Sequence, residues 1–293
     1  MLLLLVSAEA IVCCKVASFR GCDEHKETYN SELCSLLTTK CELRCPRREE
    51  PMSLGTPIPN VLHQMWKTTA LPGAFHYTVS TMLRTHPHWH YVFWTDEDLP
   101  GLFVAHAEKV GINFNKFGLT GIQTSDVARY LIMFVYGGFY ADLDMESLRP
   151  LDALLGSSIV LGREPDAHAY FLYNGRQRLT CNAILGSKPT EGFWLVVLLN
   201  LKAVRSTNAV GTTGPLRLDE IVSEFGYDRY VLNASFFYPL MGPFAKEKMR
   251  HYCMMFAKRS DVPASKKATN NSSSSSRVVN LGKLGSALAA AKC

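Results

Sequence analysis

Long apolar runs are scarce in this sequence. No stretch, the apolar first 14 residues included, reaches the about 20 apolar residues that a membrane-spanning helix needs. Residues 1–14 are apolar apart from Ser7 and Glu9, and no basic region precedes their leucines. Ala8-Glu9-Ala10 resembles the small-x-small site at which signal peptides are cleaved. We expect residues 1–14 to be a weak signal peptide or signal anchor.

Runs of positive charge are also missing. The chain has 31 Lys and Arg against 26 Asp and Glu, a formal net charge of +5. Proteins that bind nucleic acid concentrate basic residues on one surface, so no nucleic-acid partner is expected. A mild positive balance suits an anionic ligand such as a sugar nucleotide, or an anionic membrane surface. No internal repeat is present.

The cysteines lack the spacing of a zinc site. Of nine cysteines, six fall within the first 45 residues, and Cys41-x-x-x-Cys45 has no matching His or Cys pair at zinc-finger distance. A disulfide-linked segment in an oxidising compartment is therefore favoured over zinc, with the pairing left open. We interpret residues 15–57 as a stem or cap.

The composition of the remaining chain is that of a globular domain. The whole sequence is 47% hydrophobic and 19% charged, which permits a sizeable core. Pro57-Ile58-Pro59 marks the start of a globular domain over residues 58–259. Strands alternate with helices, which predicts an α/β fold with a mainly parallel twisted sheet flanked by helices. Ligands of such sheets bind at the carboxyl ends of the strands.

The end of the sequence has a different character. Residues 260–293 include the serine-rich run Asn271–Ser276 and are expected to be a disordered tail. Glycosylation sequons occur at Asn233, Asn270 and Asn271, which fits a luminal location.

Residues 125–146 contain the most informative pattern. Apolar residues recur at helical spacing, which predicts an amphipathic helix capped by Thr124 or Ser125. Gly137 and Gly138 are expected to end it, because glycine takes left-handed backbone angles without steric cost. A short buried strand then leads to an acidic pair. The apolar residues are Val127, Tyr130, Leu131, Phe134 and Val135, the strand is Phe139-Tyr140-Ala141, and the pair is Asp142 and Asp144.

The acidic pair has the chemistry of a cation site. Carboxylates at i and i+2 lie on one side of an extended segment and repel each other unless a cation is near. Oxygen ligands suit Mg²⁺ or Mn²⁺, which usually keep water and substrate phosphate as further ligands. Solvated turn aspartates are the alternative, but the preceding apolar strand and Gly-Gly turn favour a metal–phosphate site.

The full pattern resembles glycosyltransferase family 32, the Asp-x-Asp sugar transferases that include mannosyl- and galactosyltransferases. The resemblance covers roughly Ile58–Pro215, including an Ile-Pro-x-x-x-His-x-x-Trp opening at residues 58–66, an Asn-Ala phrase at residues 182–183 and a Thr-Gly-Pro phrase at residues 213–215. The closing His and Trp of the family are not matched, since no Trp follows Trp194 and only His251 is available. The matching signature is Ser125-Asp126-x-x-Arg129-Tyr130 followed by Tyr136-Gly137-Gly138-x-Tyr140-x-Asp142-x-Asp144.

The resemblance implies a GT-A-like nucleotide-sugar-binding fold and a metal-dependent, retaining hexosyl transfer in the Golgi or secretory-pathway lumen. The donor would be a nucleotide sugar with mannose or galactose, the cofactor Mn²⁺ or Mg²⁺, and the acceptor a glycan or glycolipid. Membrane attachment would run through the N-terminus. Asp144 is the expected metal ligand, with Asp142 on the metal or the ribose. The expected donor contacts are Trp66 on the base, Asp126 and Arg129 on sugar and phosphate, and Tyr130 beside them.

Other interpretations compete at several positions. Trp66 could be a packed core tryptophan, and Asp126 with Arg129 a plain ion pair along the helix. Glu164 is a further candidate on the acceptor side. For the whole chain, one alternative is an inactive secreted binding protein on the same fold. Another is a haloacid-dehalogenase-type phosphatase, although its motif normally lies on the first strand.

Overall fold

The computed structural model of the chain describes residues 58–119, 121–201 and 208–240, and the single residues Leu36, Glu247 and Arg250. The predicted signal segment, cysteine-rich region and serine-rich tail otherwise lie outside these residues, as does His251. The domain boundaries drawn from the sequence therefore stay predictions. No helix among the described residues is both long and apolar enough to cross a membrane.

Strands and helices alternate along the first half of the described chain, as the sequence predicts. The six strands are β1 (Val61–Trp66), β2 (His90–Thr95), β3 (Gly138–Ala141), β4 (Ile159–Arg163), β5 (Thr180–Ser187) and β6 (Val231–Leu232). The helices are α1 (His76–Thr85), α2 (Leu99–Val110), α3 (Ile122–Val135), α4 (Asp166–Leu172), α5 (Gly192–Asn200), α6 (Ala209–Thr212), α7 (Pro215–Glu224) and α8 (Ala234–Phe237). Short 3-10 turns lie at Gly73–Phe75, Phe114–Phe117, Asp152–Leu154 and Asp228–Tyr230.

The strands form one six-stranded sheet in the order β2-β1-β3-β5-β4-β6. β1 pairs in parallel with β2 and with β3, whereas β3 pairs antiparallel with β5. The predicted α/β fold is thus confirmed, and the sheet is mixed: parallel pairing in β2-β1-β3 gives way to antiparallel pairing at β5. A helix between two strands permits a parallel crossover but does not require one, so strand–helix alternation alone cannot specify this change.

The described residues fall into two compact units. One contains the residues up to Leu161 and those from Cys181 to Val231, and the other contains Gly162–Thr180 and the residues from Leu232 onward. The first unit holds α3, β1, β3 and most of the apolar core.

Helix α3 is the centre of the first unit and is buried on nearly all sides. Every residue from 126 to 135 is buried, including Ala128, Ile132 and Met133 outside the predicted face. Aromatic packing covers one side, where Tyr130 stacks on Trp194 of α5 with ring centroids 5.9 Å apart. The prediction of an amphipathic helix with one solvent face is therefore wrong, since helices cover α3 on more than one side.

The start of α3 also differs from the sequence prediction. The helix begins at Ile122 after Gly121, whose φ of +48° turns the chain into it, and no side chain caps it. Thr124 and Ser125 lie inside the first turn and so cap nothing. A backbone turn at glycine replaces the expected side-chain cap.

The Gly137-Gly138 turn joins α3 to β3, and both positions require glycine. Their φ angles are +64° and +85°. A Cβ on Gly137 would lie 2.6 Å from the Ser187 carbonyl oxygen, and one on Gly138 would lie 2.5 Å from the Val61 carbonyl oxygen. Backbone angle and lack of space therefore exclude side chains here.

His63 of β1 fastens this turn to the sheet. Its Nε2 donates to the Gly137 carbonyl at 3.0 Å, and its Nδ1 accepts from the Trp94 indole N–H at 3.2 Å. A carbonyl only accepts and an indole N–H only donates, so the two partners fix the neutral Nε2–H tautomer. Burial accordingly lowers the pKa of His63 to about 4. These contacts make His63 a structural residue.

Candidate active site

The acidic pair follows β3, next to the parallel strand β1. Asp142 leaves the strand with its N–H bonded to the Ala183 carbonyl, and the Met145 N–H bonds back to the Asp142 carbonyl at 3.1 Å. Asp144 therefore lies in a tight turn closed around buried Leu143. The prediction that the pair lies on an extended segment is wrong at this residue. The turn gives the two aspartates different surroundings.

Asp142 is held by two neighbours. The Tyr140 hydroxyl donates to its Oδ1 at 2.7 Å, and a guanidinium nitrogen of Arg129 lies 3.2 Å from the same oxygen. The guanidinium carbon also lies 4.8 Å from the centroid of the Tyr140 ring, a cation–π contact. The carboxylate of Asp142 is thus oriented and charge-compensated by the protein itself.

Arg129 is a buried cation at the centre of several acceptors. The nitrogen that faces Asp142 also donates to the Asn182 carbonyl at 2.8 Å, and the second terminal nitrogen lies 3.6 Å from Asp126. Burial acts to lower the pKa of Arg129, but the carboxylates of Asp142 and Asp126 hold that pKa well above its ordinary value. The guanidinium therefore stays charged and gives the site a fixed positive group.

Asp126 is buried and receives a hydrogen bond on each oxygen. Asn182 Nδ2 donates to Oδ1 at 2.8 Å, and the Thr213 hydroxyl donates to Oδ2 at 2.8 Å. Burial raises the pKa of Asp126, while Arg129 and the two donors act in the opposite direction. We call Asp126, Asn182 and Thr213 the carboxylate clamp. The clamp joins α3 to β5 and to the loop before α7.

Tyr130 supports the carboxylate clamp from within the core. Its hydroxyl donates to the Thr213 carbonyl at 2.8 Å and accepts from Asn182 Nδ2 at 3.1 Å. Its side chain is fully buried. Burial also raises the pKa of Tyr130 well above its ordinary value. These contacts give Tyr130 a positioning role for its neighbours, and the predicted place beside the donor stays a prediction.

Two residues of this arrangement were missed by sequence reasoning. The Asn-Ala and Thr-Gly-Pro phrases drew attention to residues 182–183 and 213–215, but only the segments were marked. The side chains of Asn182 and Thr213 could not be assigned, because they meet Asp126 across sequence separations of 56 and 87 residues. A buried aspartate in the middle of an apolar helix was the available signal, since a buried carboxylate must find donors elsewhere.

Asp144 lies in a different environment from Asp142. Its side chain is exposed, and no described side chain donates to it. Partial burial raises its pKa, as does the negative charge of Asp142. An unneutralised carboxylate beside a second carboxylate is a donor set that suits a hard divalent cation.

The protein supplies few ligands beyond this pair. Among the described residues, no group of three or more His, Cys, Asp or Glu side chains could hold a metal ion. Mg²⁺ and Mn²⁺ sites that serve phosphate chemistry commonly use one or two carboxylates and complete their shell with water and substrate oxygens. Asp142 and Asp144 fit a cation of that kind.

Trp66 ends β1 at the same edge of the sheet. β1 and β3 run in parallel with Leu62 opposite Phe139 and His63 opposite Tyr140, so both strands end on the same side. The Trp66 ring is half-buried and meets Phe75 edge-on, with centroids 5.2 Å apart. An aromatic face remains partly open near the strand ends, as a base-stacking role requires.

Glu164 belongs to the second unit. It follows β4, is buried, and lies 2.5 Å from Nδ1 of His168 in α4. The pair sits at i and i+4 around the start of α4. The acceptor-side role of Glu164 stays a prediction.

Comparison with known proteins gives this geometry a family context. The family described as glycosyltransferase sugar-binding region containing DXD motif matches residues 72–161. This segment runs from the turn before α1 to β4 and contains Asp126, Arg129 and both aspartates of the acidic pair.

Several fungal proteins are similar to parts of this chain. "Inositol phosphoceramide mannosyltransferase 1" of Schizosaccharomyces pombe is 36% identical over 34% of this chain and 32% of its own length. "Inositol phosphoceramide mannosyltransferase 2" of the same yeast is 26% identical over 66% of this chain and 57% of its own. "Mannosyl phosphorylinositol ceramide synthase SUR1" of Saccharomyces cerevisiae is 30% identical over 57% of this chain and 42% of its own. The chain therefore spans about a third to somewhat over half of these relatives.

A solved structure called "PaToxG Glycosyltransferase" is 14% identical over 86% of this chain and 87% of its own length. Its TM-score of 0.38 marks a distant likeness. The family model covers the signature around α3 and β3. Residues 72–161 thus match the Asp-x-Asp sugar-binding region of glycosyltransferases, and the fungal relatives support a family of the family 32 type.

Proposed function

We propose that this protein is a metal-dependent, retaining hexosyltransferase that moves a sugar from a nucleotide sugar to a glycolipid or glycan acceptor. Fungal relatives bear the names of mannosyltransferases that act on inositol phosphoceramide. Mannose as the sugar and a phosphoinositol-containing glycolipid as the acceptor are therefore the first choices. The lumen of the secretory pathway is the proposed location.

The unequal acidic pair is the observation that carries this proposal. Asp142 is already compensated by Arg129 and Tyr140, whereas Asp144 is exposed and has no side-chain donor among the described residues. A pair kept only for turn formation would not need a buried arginine on one member. The arrangement favours Asp144 as a direct ligand of the cation, with Asp142 reaching it through water or binding the ribose.

A divalent cation bound here would stabilise the negative charge that develops on the diphosphate as the glycosidic bond breaks. Arg129 would add a fixed positive charge beside the same diphosphate, and the ion pairs of its guanidinium with Asp142 and Asp126 hold that charge in place. Tyr140 orients Asp142 through its hydroxyl and so fixes where the first carboxylate points.

The carboxylate clamp prepares the donor-sugar side. Both oxygens of Asp126 are already hydrogen-bonded to Asn182 and Thr213, which leaves the remaining lone pairs for sugar hydroxyls. Asp126 therefore has a fixed direction before substrate arrives. Such preorganisation reduces the cost of ordering the site at the moment of binding.

A donor-hydrolysis screen tests the proposal. Purified protein with Mn²⁺ would be incubated with GDP-mannose, UDP-galactose, UDP-glucose and UDP-N-acetylglucosamine. We expect turnover of one donor that is lost on chelation and in both Asp144→Ala and Asp144→Asn. Asp96→Asn removes an exposed carboxylate from the turn between β2 and α2 and should retain activity.

Two outcomes would count against the proposal. Turnover that survives in Asp144→Asn would remove Asp144 from the reaction. If no donor turned over, nucleotide binding with Mn²⁺ would be measured next. Absence of both would leave an inactive binding protein on a glycosyltransferase fold as the better description.

A further inference from the structure

One face of α1 carries three threonines at helical spacing. Thr78, Thr81 and Thr85 lie at i, i+3 and i+7, which places them along one side of the helix. β-Branched residues are not favoured within helices, so propensity does not explain the set. We call these three side chains the hydroxyl row.

The hydroxyl row contacts the segment that follows the acidic pair. The Thr78 hydroxyl donates to the Leu143 carbonyl at 2.5 Å. The Thr81 hydroxyl accepts from the Ser147 N–H at 3.0 Å, and the Thr85 hydroxyl donates to the Ser147 hydroxyl at 2.7 Å. Three side chains along α1 therefore hold residues 143–147, which fixes this segment more firmly than a single contact would.

Two flanking residues extend the same attachment. The Tyr77 hydroxyl donates to Glu146 at 2.7 Å, and Nε2 of His86 accepts from the Leu151 N–H at 3.0 Å. His86 in turn uses Nδ1 to donate to the Met82 carbonyl at 2.8 Å, which fixes its tautomer. The loop from Leu143 to Leu151 is thus fastened at several points to α1 and to His86, which directly follows the helix.

The central hydroxyl of the row, that of Thr81, is itself fixed in direction by α1. The Thr81 hydroxyl donates to the Thr78 carbonyl at 2.7 Å, so its lone pair is turned toward the Ser147 N–H. Thr81 is only 5% exposed. A buried hydroxyl whose donor and acceptor directions are both used is a specific anchor, not a solvated surface group.

We propose that the hydroxyl row positions Asp144 for cation binding, an inference that rests on the proposed function. Asp144 lies between Leu143, whose carbonyl Thr78 holds, and Met145, whose N–H closes the turn onto Asp142. No described side chain donates to Asp144 itself, so its direction depends on the backbone around it. Residues of α1 that never touch the cation thereby set how well the ligand is presented.

The turn that leads into α1 also contacts Trp66, the residue predicted to stack on the nucleotide base. Phe75, which directly precedes α1, packs edge-on against Trp66 at 5.2 Å. The 3-10 turn that leads into α1 therefore contacts Trp66, and α1 itself contacts the loop that carries Asp144. Trp66 and the loop that carries Asp144 therefore pack against one continuous segment, residues 73–85, and such support by a regular element favours precise ligand positioning.

The test measures cation affinity directly. Electron paramagnetic resonance would give the Kd of Mn²⁺ for the full chain with a saturating nucleoside diphosphate, and the melting temperature would be recorded for each variant. Thr78→Val and Thr81→Val remove the hydroxyl with almost no change in shape. We expect each to weaken Mn²⁺ binding about three- to tenfold, the effect of one net hydrogen bond, and the double variant to weaken it further. Binding of the nucleoside diphosphate without metal should be unchanged.

Two controls separate positioning from general destabilisation. Thr78→Ser and Thr81→Ser keep the hydroxyl and should restore the Mn²⁺ Kd to near the parent value. Ser80→Ala removes a buried hydroxyl that has no hydrogen-bond partner among the described residues, on the same helix, and should leave the Kd unchanged.

The outcomes distinguish the two proposals. If the parent protein binds no Mn²⁺ with any nucleoside diphosphate, the proposed function fails and this inference with it. If the parent binds Mn²⁺ and the valine variants bind it equally well, the proposed function stands and the hydroxyl row is only structural. A melting temperature that falls equally in the valine and serine variants, with an unchanged Kd, would overturn the inference in the same way.

Discussion

Asp142 and Asp144 look equivalent in the sequence, yet their surroundings differ sharply. Arg129 and Tyr140 compensate and orient the first, and the second faces solvent in the turn. Arg129 decides this difference, because its buried charge serves both Asp142 and the carboxylate clamp. Single substitutions at Arg129 and Asn182 should therefore reveal how the site is balanced.

Replacing Arg129 with methionine should destabilise the fold. The substitution leaves the buried carboxylate of Asp126 without its nearby cation, and removing one partner of a buried charge pair typically costs about 3 kcal/mol or more. We expect a loss of that size in urea unfolding. Arg149→Met changes an exposed arginine and should alter the free energy of unfolding by no more than about 0.5 kcal/mol. Equal stability of the two variants would contradict this account of Arg129.

Replacing Asn182 with aspartate tests the carboxylate clamp. The change keeps the shape but exchanges a donor to Asp126 for a second negative charge, so we expect a loss of about 3 kcal/mol at pH 7.5. Protonation of either carboxyl relieves the repulsion, so the pKa of the pair is raised in the folded state. The destabilisation relative to the parent should therefore shrink as the pH falls from 7.5 to 5, in urea unfolding at both values. A loss that does not depend on pH would exclude charge repulsion as its cause.

These buried polar residues mark where sequence reasoning stops. The acidic pair, the two glycines and the neighbourhood of Asp126 and Arg129 follow from local pattern. The partners of Asp126 do not, because Asn182 and Thr213 approach it only after β5 and the loop before α7 have folded into place. Periodicity describes one element at a time and does not show which side chains of distant segments will contact each other.

At the scale of elements, α3 shows the same limit in another form. Its apolar spacing predicted a helix correctly, and its last residues were placed well. The burial of its second face was missed, although Ala128, Ile132 and Met133 left that face almost free of charge. The start was missed because Gly121 turns the backbone without any side-chain cap, which leaves no motif to recognise.

The turn between α3 and β3 should be intolerant of any side chain. At Gly138, alanine would have to adopt a φ of +85° and place its Cβ 2.5 Å from the Val61 carbonyl oxygen. That atom belongs to the adjacent strand and cannot rotate away, so we expect Gly138→Ala to destabilise the protein by about 3 kcal/mol or more in thermal or urea unfolding.

A matched glycine within α2 provides the control for this prediction. Gly101 has open space around its Cβ position and no positive φ. Gly101→Ala should be neutral or stabilise the protein by up to about 1 kcal/mol, since alanine favours a helix. Similar effects of the two substitutions would show that the turn is less constrained than its geometry indicates.

At the scale of the whole molecule, His63 makes stability depend on pH. It must remain neutral, because Trp94 donates to its Nδ1 while its own Nε2 donates to Gly137. Burial lowers the pKa of His63 from 6.5 to about 4. Its contribution to stability is therefore complete above pH 6.5 and is lost as the pH falls toward 4, by about 3 kcal/mol in total.

The measurement is the free energy of unfolding between pH 7.5 and 4.5, compared with His63→Gln. Glutamine can accept from Trp94 and donate to Gly137 without titrating. The variant should start with lower stability and lose less of it as the pH falls. Parallel pH profiles of the two proteins would show that His63 does not cause the acid sensitivity.

The carboxylate clamp also affects when α3 can be buried while the chain is being synthesised. Asp126 leaves the ribosome 56 residues before Asn182 and 87 residues before Thr213, the two side chains that satisfy it. A nascent chain that already contains the family segment up to residue 161 therefore holds a carboxylate that cannot yet be buried at low cost. The site closes only when the Thr213 loop arrives. We expect a chain that ends before that loop to keep Asp126, and with it part of α3, exposed to water, where chaperones and proteases reach unfinished proteins.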